Sequence, residues 1–150
     1  MPHIHELIDF VANVYIVYKD KVLLIHHKKL NKWLPIGGHI ELDEDPEQAL
    51  SREVKEECGL EIEILAEKPS IHSEGTKFLY PPKFLDIHKI SETHKHIALS
   101  YFAKTNSDKA ILNEEEHNEI RWFNKEELDD PKFKIEPAIK FYAKKALRMV

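Results

Sequence analysis

Between Asp45 and Gly59 the chain carries a helix with both ends written into it. Asp45 is a favourable N-cap, and Pro46 suits the first helical position because its missing N–H would have been unpaired anyway. Gly59 can end the helix in the left-handed conformation that a side chain resists. At about 100° per residue, Glu56 and Glu57 fall roughly 60° and 40° to either side of Glu53, giving one carboxylate face. Leu50, Val54 and Cys58 form an adjoining apolar stripe, and the small Ala49 leaves room between the acidic chains. Any fold must bury one side of this helix and keep three carboxylates along another.

The flanks alternate strand and loop. Phe10–Tyr18 and Lys21–His27 are β-branched and aromatic around the polar break Lys19-Asp20, which reads as a hairpin. A basic loop follows, then Trp33-Leu34-Pro35-Ile36 and the tandem Gly37-Gly38. Leu60–Ala66 alternates like a strand. Residues 67–82, with three prolines and a glycine, form a long excursion of the kind that often selects ligands. Phe84–Ile90 and His96–Ala103 look like paired strands. Ala110–Glu119 is an acidic loop, and Ile120–Phe123 a last short strand. Asn124 with Glu127 resembles a helix start. Ile135, Ala138, Ile139, Tyr142, Ala146 and Val150 stand at helical spacing, so a closing amphipathic helix is expected. No repeat or linker interrupts this pattern, and residues 1–150 read as one mixed α/β domain.

Composition narrows the partners. A net charge of −5 disfavours duplex nucleic acid, which calls for a basic surface. An acidic chain can still take an anionic phosphate if a divalent cation bridges the two. Cys58 is the single cysteine, which excludes an internal disulfide and a multi-cysteine zinc site. No apolar run is long enough to span a membrane. Residues 1–6 lack the basic-then-apolar order of a leader, so a cytoplasmic protein is expected.

The helix face points to metal chemistry. Three crowded carboxylates repel one another, and a hard divalent cation removes that repulsion. Mg²⁺ prefers oxygen ligands and completes its shell with water and substrate phosphate. Arg52, one turn before Glu56, can pair with that carboxylate and fix its direction. Gly37-Gly38 allows a tight backbone approach, with the Gly37 carbonyl available as a further ligand. A solvated acidic helix would explain the three glutamates alone. It does not explain the full set of spaced residues across 38–60, expected by chance on the order of once in 10⁹ positions.

Those spacings resemble the box of the Nudix hydrolase superfamily, Gly-x5-Glu-x7-Arg-Glu-U-x-Glu-Glu-x-Gly-U with U apolar. Gly38, Glu44, Arg52, Glu53, Val54, Glu56, Glu57, Gly59 and Leu60 fill every position. Residues 33–38 ahead of the box, and 119–123 near the end, also resemble family segments. The resemblance implies an α/β/α sandwich around a mixed sheet. It further implies Mg²⁺- or Mn²⁺-dependent cleavage of a nucleoside diphosphate linked to another moiety. A MutT-like action on nucleoside triphosphates comes first, with ADP-ribose or a nucleotide sugar behind it. By position, Glu53, Glu56 and Glu57 would hold metal, with Gly37 assisting. Arg52 would orient the carboxylates and Glu44 support the loop. Glu53 is the expected general base, with Glu115 or Glu116 as alternatives. Members of this family often form homodimers, and the same is expected here.

Outside the box the candidates for substrate contact are His39, Trp33, Tyr80, His94 and His96. Each has a plainer reading. His94 and His96 share a strand face and could line a nucleotide pocket or simply lie half-buried. His39 lies in the box loop at an unspecified position. Trp33 and Tyr80 could stack on a base or pack beneath loops. No histidine pair has the spacing of a zinc-binding helix. Two rivals share the expected fold. A non-catalytic nucleotide sensor typically loses box glutamates, and all are present here. An isomerase of isoprenoid diphosphates uses a cysteine outside the box, and this chain has none.

Overall fold

The computed structural model describes residues 7–150, so the reading of residues 1–6 as free of a leader lies outside the described residues. The strands are β1 (Ile8–Tyr18), β2 (Lys21–His27), β3 (Lys32–Leu34), β4 (Ile36–His39), β5 (Glu63–Ile64), β6 (Phe84–Ser91), β7 (His94–Lys104) and β8 (His117–Phe123). The helices are α1 (Pro46–Glu57), α2 (Lys125–Leu128) and α3 (Pro137–Met149), with a 3₁₀ turn at Pro131–Phe133. All eight strands join one mixed sheet. Its centre is β1 against β7, parallel and in register from Ile8↔Lys95 to Val17↔Lys104.

Alternation along β1 builds a core on each face. Ala12, Val14 and Ile16 point towards α1 and pack with Ala49, Leu50, Val54 and Cys58. Tyr15 and Val17 point the other way, joining Phe102, Trp33 and Phe123 beneath Ile139, Ala143 and Ala146 of α3. Side chains two residues apart share a face, so one strand feeds both cores. The result is the sandwich of helices around a mixed sheet that the sequence implied.

Several elements differ from their sequence readings for one reason, competition for strand edges. β1 and β2 pair only at Val17↔Val22 and Tyr18↔Lys21. Further back, the same edge of β1 belongs to β4, from Val11↔His39 to Val14↔Ile36. The hairpin therefore closes tightly at Lys19, which takes a φ of 54°, and then splays. Leu60–Ala66 likewise shrinks to a two-residue strand on Ala103 and Lys104, because β7 ends at Lys104 and β6 takes its edge from Ser100 back to His94. The closing helix starts at Pro137 rather than Ile135, although Ile135 remains buried. Val150 lies off the stripe and is exposed. No helix among the described residues is long and apolar enough to cross a membrane.

Candidate active site

The loop entering α1 is shaped by its own acidic residues. Asp45 accepts from the Gln48 backbone at 2.9 Å, and the Gln48 side chain accepts from the Asp45 N–H, completing a capping box. Glu44 folds the preceding turn, accepting from the Glu41 N–H at 3.0 Å. This places Glu44 beneath Arg52. The guanidinium donates to both carboxylate oxygens of Glu44, at 2.7 and 2.9 Å, as a two-pronged fork. It also donates to Glu53 Oε1 at 2.8 Å and to the His39 carbonyl at 3.0 Å. Glu56, the partner expected at sequence level, is farther away at 3.6 Å and half exposed. Arg52 thus clamps Glu44 and Glu53 first, because the turn brings Glu44 closer than the next helical turn brings Glu56.

Glu53 is drawn inward against β4. A Cβ placed on Gly38 would stand 2.5 Å from Glu53 Oε1, so this glycine makes the space the carboxylate occupies. Burial, followed by the charge of Glu57, pushes the Glu53 carboxyl up to about 7, while Arg52 opposes the shift. Gly37 has a different duty. Its φ of 154° and a would-be Cβ 2.3 Å from the Ala12 carbonyl leave no room for a side chain. Its N–H donates to Glu57 Oε1 at 2.8 Å.

Glu57 is almost wholly buried, and its second oxygen lies 3.0 Å from Nε2 of the buried His117. The Nδ1 of that ring is buried and has no hydrogen-bond partner. Glu116 completes the group, with ligand atoms of Glu57, Glu116 and His117 all within 4.8 Å of one another. Of the two candidate glutamates of the acidic loop, Glu116 reaches the box, while Glu115 lies exposed beside Asn113. His117 was missed at sequence level, where it sat inside an acidic loop. The signal available was its position ahead of Ile120–Phe123, since β8 begins there.

The substrate candidates separate. Trp33 is core: its ring meets Phe123 at 4.9 Å and Phe133 at 6.0 Å, leaving no free face for a base. Tyr80 packs partly buried on the α1 side, with its N–H donating to Glu47 and Lys68 4.2 Å above its ring. His39, His94 and His96 come together, with ring centroids 4.9 Å apart for His39–His96 and 5.3 Å for His94–His96. Burial and the neighbouring His39, His88 and His94 push His96 down to about 4. Cys58 is buried, its thiol pushed up to about 11 chiefly by desolvation, as suits an inert side chain.

Comparison with known proteins identifies the family and the fold. The family model described as NUDIX domain matches residues 9–144. A MutT-like protein of Streptomyces ambofaciens is 36% identical over 63 residues, covering 42% of this chain and 40% of that protein. The chain therefore matches well under half the length of that curated relative. A crystal structure of a NUDIX-family hydrolase from Clostridium perfringens superposes with a TM-score of 0.82 at 36% identity, covering 94% of this chain and 97% of that one. A MutT NUDIX hydrolase from Burkholderia pseudomallei shares the fold, with a TM-score of 0.69, 23% identity, and coverage of 97% and 99%.

Proposed function

Because the chain belongs to the NUDIX family of hydrolases, we propose that it cleaves the diphosphate linkage of a nucleoside diphosphate derivative with the help of divalent cations. The observation carrying this reading is the Arg52 clamp, which sets Glu44 and Glu53 in place beside the buried Glu57. The donors suit a hard cation. Glu53, Glu56 and Glu57 neighbour one another closely enough for their charges to raise the Glu53 carboxyl, an excess of negative charge that Arg52 alone does not cancel. Glu53, Glu56 and Glu57 would hold Mg²⁺ or Mn²⁺, with Glu116 and the Gly37 carbonyl as further oxygen donors. When bound, such a cation supplies neutralisation of the diphosphate and acidification of a water nucleophile.

The protein groups do the rest. Glu53 accepts the proton of the attacking water, since burial gives it a basicity near neutral pH. Arg52 keeps that carboxylate aimed, and Glu44 keeps Arg52 aimed. Glu116 is the second candidate base, because it alone of the acidic-loop pair stands by Glu57. We extend the reading to a small-molecule substrate, a single functional domain over residues 1–150, and a homodimer. Exposed Leu85 and Ile87 on edge strand β6 support self-association.

A hydrolysis screen with Mg²⁺ across nucleoside triphosphates, ADP-ribose, nucleotide sugars and dinucleoside polyphosphates tests the proposal. Nucleoside triphosphates are expected to be cleaved to monophosphate and pyrophosphate. Cleavage of none of these would favour a non-catalytic sensor instead.

A further inference from the structure

At one end of the sheet, on the face covered elsewhere by α3, His39, His94 and His96 gather around the carboxylate of Asp9, while the neighbouring His88 pairs with Asp86 at 2.8 Å. The register compels this. Asp9 of β1 stands opposite His96 of β7 in the parallel pair, and His88 of β6 stands opposite His96 from the other side. His94 shares their face because it is two residues from His96. His39 arrives on β4 beside Val11, and so turns to the same face. Asp9 Oδ2 lies 2.8 Å from His94 Nε2 and 3.6 Å from His39 Nε2. One ligand atom each from Asp9, His94 and His96 falls within a single 4.8 Å group.

From this geometry we propose that Asp9, His94 and His96, with His39 as a fourth donor, form a transition-metal site separate from the carboxylates of α1. A surface ion pair does not account for the cluster. Asp86 pairs with His88 and Asp9 with His94, yet the rings of His39 and His94 both crowd that of His96, at 4.9 and 5.3 Å between centroids. Shared coordination of a cation uses every lone pair that such crowding brings together. Donor atoms in a tetrahedral zinc shell stand about 3.3 Å apart. Imidazole with one carboxylate suits Zn²⁺, Co²⁺ or Ni²⁺, whereas Mg²⁺ favours all-oxygen shells. Asp9 and His94 keep about a quarter of their side-chain surface exposed, at 27% and 26%, so an ion can enter.

The site is wired to the helix–loop unit through one residue. The His39 side chain faces the cluster, while its backbone carbonyl accepts from Arg52 Nη2 at 3.0 Å. An ion held by His39 therefore stiffens the strand end that Arg52 grips. The two sites share this residue but not their ligands, and either can exist without the other.

Titration of the full chain with Zn²⁺ and Co²⁺ in excess Mg²⁺, read by calorimetry and by the visible d–d bands of Co²⁺, tests the assignment. One tight site per chain is expected, with nitrogen-ligand Co²⁺ bands and a Zn²⁺-dependent rise in melting temperature. His94→Ala and His96→Ala should each weaken binding by at least about 100-fold and abolish the Zn²⁺-dependent rise. His94 is partly exposed, so His94→Ala is expected to fold, which its melting curve without metal checks. Replacing His3 and His5 together should leave the tight site intact. The assignment falls if Zn²⁺ binds no more tightly than Mg²⁺, if both strand variants bind like the wild type, or if the His3/His5 variant loses the site.

Discussion

His117 Nε2 stands 3.0 Å from Oε2 of Glu57, and both side chains are almost wholly withdrawn from water. The other Glu57 oxygen takes the Gly37 N–H, so this carboxylate is held from two strands at once. A group fixed in this way keeps its direction whether or not a cation is bound.

Replacing His117 by Ala removes one of the two holds. The Mg²⁺ concentration for half-maximal activity is predicted to rise about 10–100-fold, the usual cost of losing a group that orients or assists a metal ligand. Turnover measured against Mg²⁺ concentration checks this. An unchanged Mg²⁺ dependence would remove His117 from the site.

Glu53→Gln and Glu56→Gln keep size and shape but lose the charge. Each should reduce turnover by at least about 10²-fold while the protein stays folded by circular dichroism. Full activity in either variant would dismiss that carboxylate from metal binding or catalysis.

The two glycines of β4 should fail differently. Gly38→Ala puts a Cβ against the Glu53 carboxylate, a side chain that can move aside but then leaves its Arg52 contact. Activity should fall by about 10²-fold with little loss of stability. Gly37→Ala meets the backbone of Ala12 and Asn13 at positive φ, where nothing can yield. A loss of at least about 2 kcal/mol of stability is expected there. Denaturant melts and kinetics on the pair would expose the error if both variants lost only stability.

Glu53 sets a pH dependence. Burial first and Glu57 second raise its carboxyl from the ordinary 4.5 to about 7. Between those values the folded protein binds more protons than the unfolded chain, so stability without metal falls as pH rises through that window. A divalent cation competes with the same proton. The Mg²⁺ requirement should therefore climb as pH drops below about 7, by up to about tenfold per unit. Thermal melts in chelator across the window should slope downward for the wild type and flatten in Glu53→Gln. A wild-type slope of the opposite sign would contradict the burial of this group.

Much of the helix–loop unit was legible before folding because its determinants are local. The Asp45 cap, Pro46, the carboxylate face of Glu53, Glu56 and Glu57, and the stop at Gly59 all depend on residues a few positions apart. The capping partner Gln48 was equally local, though only the cap itself was read. The β-branched and aromatic run Phe10–Tyr18 likewise announced a strand, though that both its faces are covered emerged only from the fold.

Strand register decided the rest, and register is a property of distant segments. Pairing of β2 with β8, with its irregularity at His26/His27, brings His117 to Glu57 and selects Glu116 over Glu115. Pairing of β1 with β7 turns scattered histidines into a cluster around Asp9. Pairing of β2 with β3 and β8 also decides which aromatic is core: Trp33 is sealed against Phe123, whereas Trp122 is only partly buried, its indole N–H donating to the Asp108 carbonyl. Local sequence specified the helix and its charges because caps and side-chain periodicity act within one or two turns. Which residues surround those charges depended on hydrogen bonding between strands far apart in the chain, and only the assembled sheet settles that.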